Sequence, residues 1–387
     1  SSELFVPQID NAGPSNEGPA KEPPLLMDYA DAVALMRAQR AHYQSALYAI
    51  QPTVVPSRPG QHPFHADGHA VSSEFFPMVD APFKYGGPWA RTDDKRRARV
   101  AVISSRLNDK LFGGGDSVGK TVNLGGEEYS IVGVLNSWNP QPRFYDLGFG
   151  QSYNEQGDGV FLPFNTAVAV GLTTAHGFYC HGSAPAKPGF AALQRSSCSW
   201  VAFMVQLDTP AQAAAYKSFL NGYAREQQQA GRYDWSPNNR LRDLTQWMDY
   251  LQVVPSNVGI SLYVALGMLL ACLVNTAGLL LAKFMRRSGE IGVRRALGAS
   301  RHEIYTQFMI EAGLVGVAGG LVGLILTMLG VAAIGWVLPP GIASLAQVNV
   351  SLLVTTIATT IVATLVAGLY PTMRAASVQP AWQLKSN

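Results

Sequence analysis

The sequence predicts an α+β extramembrane domain, built as two subdomains and joined to an all-α transmembrane domain. Three observations predict it. The first 250 of 387 residues carry most of the charge, proline and aromatic side chains, whereas the rest is dominated by Leu, Val, Ala, Gly and Thr. Within the second part, about 258–282, 304–337 and 351–371 are apolar runs with almost no charge, each near or above the roughly 20 residues needed to cross a bilayer core. The first part instead opens strand–helix–strand and returns to a strand–helix pair before the membrane begins, the mark of an α+β domain.

Residues 4–9 read as a short strand and 11–26 as a Pro/Gly/Asn loop. Asp28 is placed to cap an amphipathic helix whose apolar face includes Ala32, Leu35 and Met36. A strand follows over about 45–55. Its partners are a strand at 199–207 and a helix at 209–230, where Thr209 caps and Pro210 occupies the first helical position. These pieces, about 1–61 and 199–250, form one α/β subdomain interrupted by a β-rich insertion over about 62–198. In the insertion, Val100–Ile103 is a strand and ISSRLNDKLFG a helix. TVNLGGEEYSIVGVL is a hairpin turning at Gly125-Gly126. Residues 138–157 and 171–198 read as long, aromatic, Gly-rich loops, the kind of segment that carries contacts.

Two motifs in the insertion spell chemistry that their context denies. Gly114 to Thr121 has the letters of a phosphate-binding loop, but such a loop needs a strand before it and a helix after it, so that helix N-terminal amides meet the phosphate. Here a helix precedes and a hairpin follows, so the segment is read as a turn. His62, His65 and His69 cluster around Asp67. Neutral imidazoles ligate zinc, yet the segment is broken by Pro and Gly, and a solvated loop is the expectation. No catalytic triad stands out, and neither catalysis nor a metal site is expected. Cys180 and Cys198 flank a Gly/Pro/Ser-rich loop. Outside the cytoplasm a disulfide closing it is the natural reading; two unpaired thiols are the alternative.

A net charge of +3 is too small to imply nucleic acid. The positive charge of the second part gathers instead at the ends of the apolar runs. Lys283, Arg286, Arg287, Arg294, Arg295 and Arg301 lie between the first and second runs, and Arg374 and Lys385 follow the third. Positive residues mark the cytoplasmic side. The 283–301 segment and the tail are then inside; residues 1–250 and the polar 338–349 loop are outside. The inside segment carries its own boundaries. Ser288 is placed to cap a short helix, about 288–299, with Glu290 in its first turn and Arg294 and Arg295 near its end. Gly298 stops it, and Ser300 to Glu303 spells a capping box for the next helix. A capped helix held between two spans is a lever; the alternative is a plain positive loop. On the second span Gly313, Gly316, Gly320 and Gly323 form a stripe of small residues that lets helices approach closely, either within the chain or against a second copy.

GEIGVRRALGASRHEIYTQFMIEAGLVGVAGGLVG resembles the permeases of FtsX/MacB-type ABC transporters. LFGGGDSVGKTVNLGGEEYSIVGVL is similar to that family's periplasmic core domain, and YPTMRAASVQPAWQLK to its C-terminal ending. The resemblance implies a bacterial inner-membrane subunit without enzymatic activity. It also implies that the short cytoplasmic helix docks on an ABC ATPase, with Glu290, Ile291, Val293, Arg294, Arg295 and Leu297 as contacts. No ATPase signature is read in this chain, so the ATPase, with its ATP and magnesium, is expected in a separate subunit and no cofactor in this one. Further implied partners are a second permease copy or paralogue, membrane lipid, and a periplasmic adaptor with an outer-membrane channel. The family carries four spans, the first ahead of the outer domain; three are visible here, so a further span is expected before Ser1. The function implied is ATP-driven movement of the outer domain that expels a periplasmic substrate, with lipoprotein or lipid extraction, or signalling to a periplasmic enzyme or peptide sensing, as the other outcomes of the same device.

Overall fold

The computed structural model describes residues 3–11, 22–57, 60–149, 156–180, 185, 189–233, 235–236, 238–253, 257–337 and 350–376. The chain divides into two compact units, Ser1–Val254 and Pro255–Asn387.

The first unit opens with β1 (Leu4–Gln8), α1 (Tyr29–Ala38), β2 (Tyr43–Ile50), β3 (Thr53–Val55), β4 (Phe64–His65) and β5 (Gly68–Val71). Next come α2 (Phe75–Met78), β6 (Phe83–Gly86), α3 (Arg91–Lys95), β7 (Val100–Ser104), α4 (Ser105–Phe112), β8 (Thr121–Leu124) and β9 (Glu127–Leu135). It closes with β10 (Val160–Pro163), α5 (Phe164–Ala169), α6 (Phe190–Gln194), β11 (Ala202–Gln206), α7 (Pro210–Gln229), β12 (Arg240–Asp243) and α8 (Leu244–Tyr250). The expected caps are made: Asp28 accepts from the Asp31 amide at 2.8 Å, and Thr209 and Gln212 close a capping box on α7. Gly125 and Gly126 turn the β8–β9 hairpin at φ +65° and +91°, a conformation that suits glycine.

All strands join one sheet in the order β12-β1-β11-β2-β5-β10-β7-β9-β8-β3-β4, with β6 beside β9. Pairing is antiparallel except for β5 with β10 and β7 with β9. Hydrogen bonding continues between the segments read as subdomain and insertion, because β2 pairs with β5 and β3 with β4 and β8. Successive strand residues point to opposite faces, and here both faces are covered. Tyr48, Ile103, Leu162 and Phe203 pack with Leu35 of α1, Leu107 of α4 and Leu220 of α7. Their neighbours Leu47, Val102, Phe161 and Met204 pack on the other side with Phe75 and Phe76 of α2 and Trp247 of α8. Two-sided burial fits the uninterrupted apolar stretch Val160–Leu162 of β10.

Three local expectations are corrected. The strand expected over about 45–55 is two strands, broken at Gln51-Pro52, where proline has no N–H to extend the ladder. The histidine segment is not a solvated loop: His65 ends β4, and His69 lies in β5 at 1% exposure. Residues 138–157 are not all surface either, since Arg143, Tyr145 and Asp146 are buried. The phosphate-loop spelling is a turn between α4 and β8.

Among its described residues the second unit holds α9 (Asn257–Arg286), α10 (Ser288–Ala296), α11 (Arg301–Val337) and α12 (Val350–Ala376). Three spans fit within it, Gly259–Arg286, Arg301–Ala333 and Leu353–Met373. Their outer surfaces are rich in exposed Leu, Val and Ile, as expected where lipid replaces water as the surrounding medium. The 338–349 loop and the tail with Lys385 lie outside the described residues.

Cys180 and Cys198 form a disulfide that closes a loop of sequence separation 18. Such a closure stabilises by about 3 kcal/mol through the unfolded chain. Replacing both by Ser is expected to lower the melting temperature of the outer unit, and reducing agent is expected to destabilise the parent protein but not the double variant. Equal melting of the two proteins under oxidising conditions would refute it.

Candidate functional site

The short helix α10 is the candidate site of the second unit. A single residue, Arg287, separates it from α9. Its N-cap position is Arg287, without a side-chain cap bond, rather than Ser288 as expected, because the Ile291 amide already bonds the Arg287 carbonyl at 3.0 Å. The C-terminal stop is made as expected. Gly298 adopts φ +105°, its amide bonds the Arg295 carbonyl at 3.2 Å, and the Ala299 amide bonds the Arg294 carbonyl at 3.0 Å. That pair of bonds is a Schellman closure. Ser300 and Glu303 then form both arms of the capping box, at 2.9 and 3.2 Å, and α11 starts at once.

The six expected contact residues do not share one surface. Ile291 is 4% exposed and packs inward with Leu280 and Phe284 of α9 and Ile304, Phe308 and Ala312 of α11. Here the side chain anchors α10 to both spans, since an apolar side chain at this position lowers its free energy by leaving water. Phe284 and Phe308 meet beneath it with ring centroids 4.3 Å apart. Glu290, Val293, Arg294 and Leu297 face solvent, spaced three or four residues apart along one stripe. Leu297 is 84% exposed and Val293 58%, beside the charges of the same helix. Arg294 binds Glu290 at 2.5 Å and Gln307 at 3.1 Å, which fixes the guanidinium on this stripe. Arg295 is half-buried at its edge. Glu311 takes Lys283 and Arg287 as ion-pair partners and so ties α11 to the end of α9. The result is an apolar and cationic stripe on a helix fastened to two spans at once.

The glycine stripe on α11 packs on α12 within the chain over most of its length. A Cβ at Gly316 would lie 2.9 Å from Thr364 Oγ1 and 3.0 Å from Thr364 Cβ; at Gly313 and Gly320 it would meet Leu365 and Thr360 at ordinary contact distance. At Gly323 it would meet nothing within 4 Å. A Cβ at Gly368 of α12, which the pattern did not single out, would lie 3.0 Å from Ala312 Cβ. Gly316→Leu is expected to separate α11 from α12 and to lower yield and thermal stability sharply, whereas Gly323→Leu should leave both near the parent values. Comparing detergent-extracted yield and melting of the two variants checks this, and similar behaviour would overturn the contact assignment.

In the outer unit the histidine cluster drew attention to His69, but no pattern pointed to its partners Arg143, Tyr145, Asp146 and Asp158. His69 is held between two buried carboxylates, with Nδ1 3.0 Å from Asp158 and Nε2 3.0 Å from Asp146. Both ring nitrogens face acceptors, so the imidazolium fits best. Burial opposes the charge, but Asp158 and Asp146 outweigh it and raise the His69 pKa to about 9. Arg143 completes the cluster at 2.5 Å from Asp158 and 3.2 Å from Asp146, and Tyr145 donates to Asp158 at 2.9 Å. Burial pushes Asp158 up, yet His69 and Arg143 prevail and hold it at about 2. Two cations and two anions balance. No group of three or more His, Cys, Asp or Glu able to hold a metal occurs among the described residues. A second such lock joins Arg232 to Asp28 and Asp31 of α1, with Tyr223 and Tyr233 donating to Asp31 at 2.8 and 2.9 Å.

Comparison with known proteins agrees with this division of the chain. Residues 3–220 match the family model for the MacB-like periplasmic core domain, and residues 262–380 that for the FtsX-like permease C-terminal region. The macrolide export ATP-binding/permease protein MacB of Chlorobium luteolum is 24% identical over 308 residues, covering 77% of this chain and 40% of its own. The pyoverdine export ATP-binding/permease protein PvdT of Pseudomonas aeruginosa is 22% identical over 329 residues, covering 85% and 43%. The chain thus spans about two fifths of the length of these relatives. Among solved structures, the periplasmic region of MacB from Actinobacillus actinomycetemcomitans aligns at TM-score 0.40 and 12% identity, covering 65% of this chain and 93% of that one.

Proposed function

The chain belongs to the MacB/FtsX-type ABC transporter permeases, an inner-membrane subunit with a periplasmic domain, and from that premise we propose that it is a mechanotransmitter. In this reading a cytoplasmic ABC ATPase docks on the exposed stripe of α10. ATP binding and hydrolysis, with magnesium, take place in that ATPase; residues of this chain receive and pass on its movement. The observation that carries the reading is the two-sidedness of α10. Ile291 is buried against both α9 and α11, while Val293 and Leu297 stand exposed on the opposite side. An exposed leucine and valine gain from a partner surface that removes them from water, and Arg294 supplies a fixed cation beside them. Because α10 is anchored to two spans, a push on the stripe moves both together. Side-chain packing transmits such displacement because the contacts are close-packed and poorly compressible.

The names of the relatives point to export, so the work performed is proposed as expulsion of a periplasmic substrate. Two permease copies, or this chain and a paralogue, would act with a periplasmic adaptor and an outer-membrane channel. Gly323, open on α11, is available to a helix of such a second copy.

A photo-crosslinking amino acid placed in turn at Val293, Leu297 and Ile291 of the membrane-embedded chain tests the docking surface. Covalent capture of an ATP-hydrolysing protein from Val293 and Leu297, but not from Ile291, is expected. Capture from none of them would overturn the proposal.

A further inference from the structure

The outer unit contains a cavity of about 510 Å³ between α1, the turn leading into α2, α3 and the start of α5. Its size falls in the range of roughly 300–1,000 Å³ typical of small-molecule sites. Arg37, Lys95 and Arg97 stand at its mouth, all exposed, and none has an ion-pair partner among the described residues. The two carboxylates of the cavity are already committed. Glu74 pairs with Arg91 and accepts the Gln44 amide at 2.8 Å. Asp94 accepts from the Asn165 amide and side chain at 3.3 and 3.2 Å, and burial raises its carboxyl pKa above the usual range. The cavity is therefore left with an excess of positive charge facing solvent.

Tyr29 lines the same cavity and carries a hydroxyl able to donate. Its ring stacks with Phe164 at 6.2 Å and with Trp200 at 5.9 Å, which fixes its position, and its hydroxyl has no hydrogen-bond partner among the described residues. Burial raises the phenol above its ordinary value; Arg97 and Arg37 act in the opposite direction, so both guanidinium groups lie within electrostatic reach of it. Val33 and Met36 of α1 supply an apolar wall beside these charges. Fixed cations, a neutral hydroxyl donor and an apolar wall around one opening are the parts that recognise an anion attached to an apolar body.

We propose that this cavity binds a small organic anion, its carboxylate or sulfonate held by Arg37, Lys95, Arg97 and the Tyr29 hydroxyl and its apolar body set against Val33 and Met36. Binding here requires no ATPase and stands apart from the role of α10. The test uses the full chain in phosphatidylcholine nanodiscs with fluorescein, an aromatic dianion, followed by fluorescence anisotropy. Rhodamine 6G, a cation on the same ring system, is the control. Saturable fluorescein binding is expected, weakened about ten-fold by Arg37→Gln with Arg97→Gln, weakened less by Tyr29→Phe, and suppressed by added salt, with no saturable binding of rhodamine 6G. Absence of saturable fluorescein binding, equal binding by the double variant, or equal binding of the cation would each overturn the proposal. Should the double variant melt below the parent chain, Lys95→Gln on the exposed side of α3 carries the same comparison.

Discussion

Reversing two charges on α10, Arg294→Glu together with Arg295→Glu, is expected to abolish substrate-stimulated ATP turnover of the assembled transporter while leaving the permease inserted and folded. Juxtaposing like charges across an interface costs several kcal/mol, and each 1.4 kcal/mol is ten-fold in affinity, so docking should weaken by roughly 100-fold or more. The effect within the chain is small by comparison. Losing the exposed Glu290–Arg294 pair costs about 0.2–0.5 kcal/mol, and two carboxylates in the last turn add an unfavourable interaction of similar size with the helix dipole. The inward anchor at Ile291 and the Gly298 closure are untouched. Extracted yield and melting of the double variant separate these contributions: both should stay near the parent values while stimulated turnover is lost. Normal stimulated turnover in the double variant would remove α10 from the coupling pathway. A fall in yield or melting as large as the loss of turnover would show that helix integrity, and not docking, is what was measured.

Replacing His69 by Ala is expected to destabilise the outer unit by about 3–5 kcal/mol, the usual result of removing one partner from a buried ion pair. Asp146 and Asp158 would then share the single Arg143 guanidinium in a site that water does not reach. The same cluster predicts how stability depends on pH. The folded pKa of His69, about 9, lies above its ordinary 6.5, so the folded protein holds a proton that the unfolded chain releases. The stabilisation is therefore complete below about pH 6.5 and is lost as the pH rises through 9, amounting to about 3 kcal/mol. Asp158 is shifted the other way, to about 2 from 3.8; its contribution is present above about pH 4 and is lost as the pH falls through 2. Melting of the full chain in nanodiscs, followed by near-ultraviolet circular dichroism, reports on the site because Trp138 stacks on Tyr145 at 5.4 Å. The decisive comparison is with His69→Gln, whose melting temperature should not show the decline between pH 6.5 and 9. A parallel decline in both proteins would mean that His69 is not the group responsible.

What the sequence determined by itself were the features written in neighbouring residues. The three spans follow from continuous apolar composition, the start of α11 from the capping box at Ser300/Glu303, and the start of α7 from the Thr209 cap with Pro210 behind it, all of which need only neighbouring side chains. The end of α10 is legible for the same reason: Gly298 accepts the positive φ of the closure whatever surrounds it. Only the tertiary structure decided which side of each element is used. Helical spacing places Ile291 and Val293 in one short helix, but the packing of α9 against α11 makes one an anchor and leaves the other exposed. Four glycines share a stripe, yet the path of α12 brings Thr364 to Gly316 and leaves Gly323 open. The His69 cluster lies furthest from anything a pattern could show. Its charges come from positions 69, 143, 146 and 158, and they meet because β5 pairs in parallel with β10, setting His69 opposite Phe161, a few residues beyond Asp158. Likewise Arg37 and Arg97 share the mouth of one cavity because α1 and the segment after α3 pack around it, 60 residues apart in sequence. Capping and hydrophobic length are local free energies, whereas the partner of a buried charge is fixed by strand order, which the whole sheet decides at once.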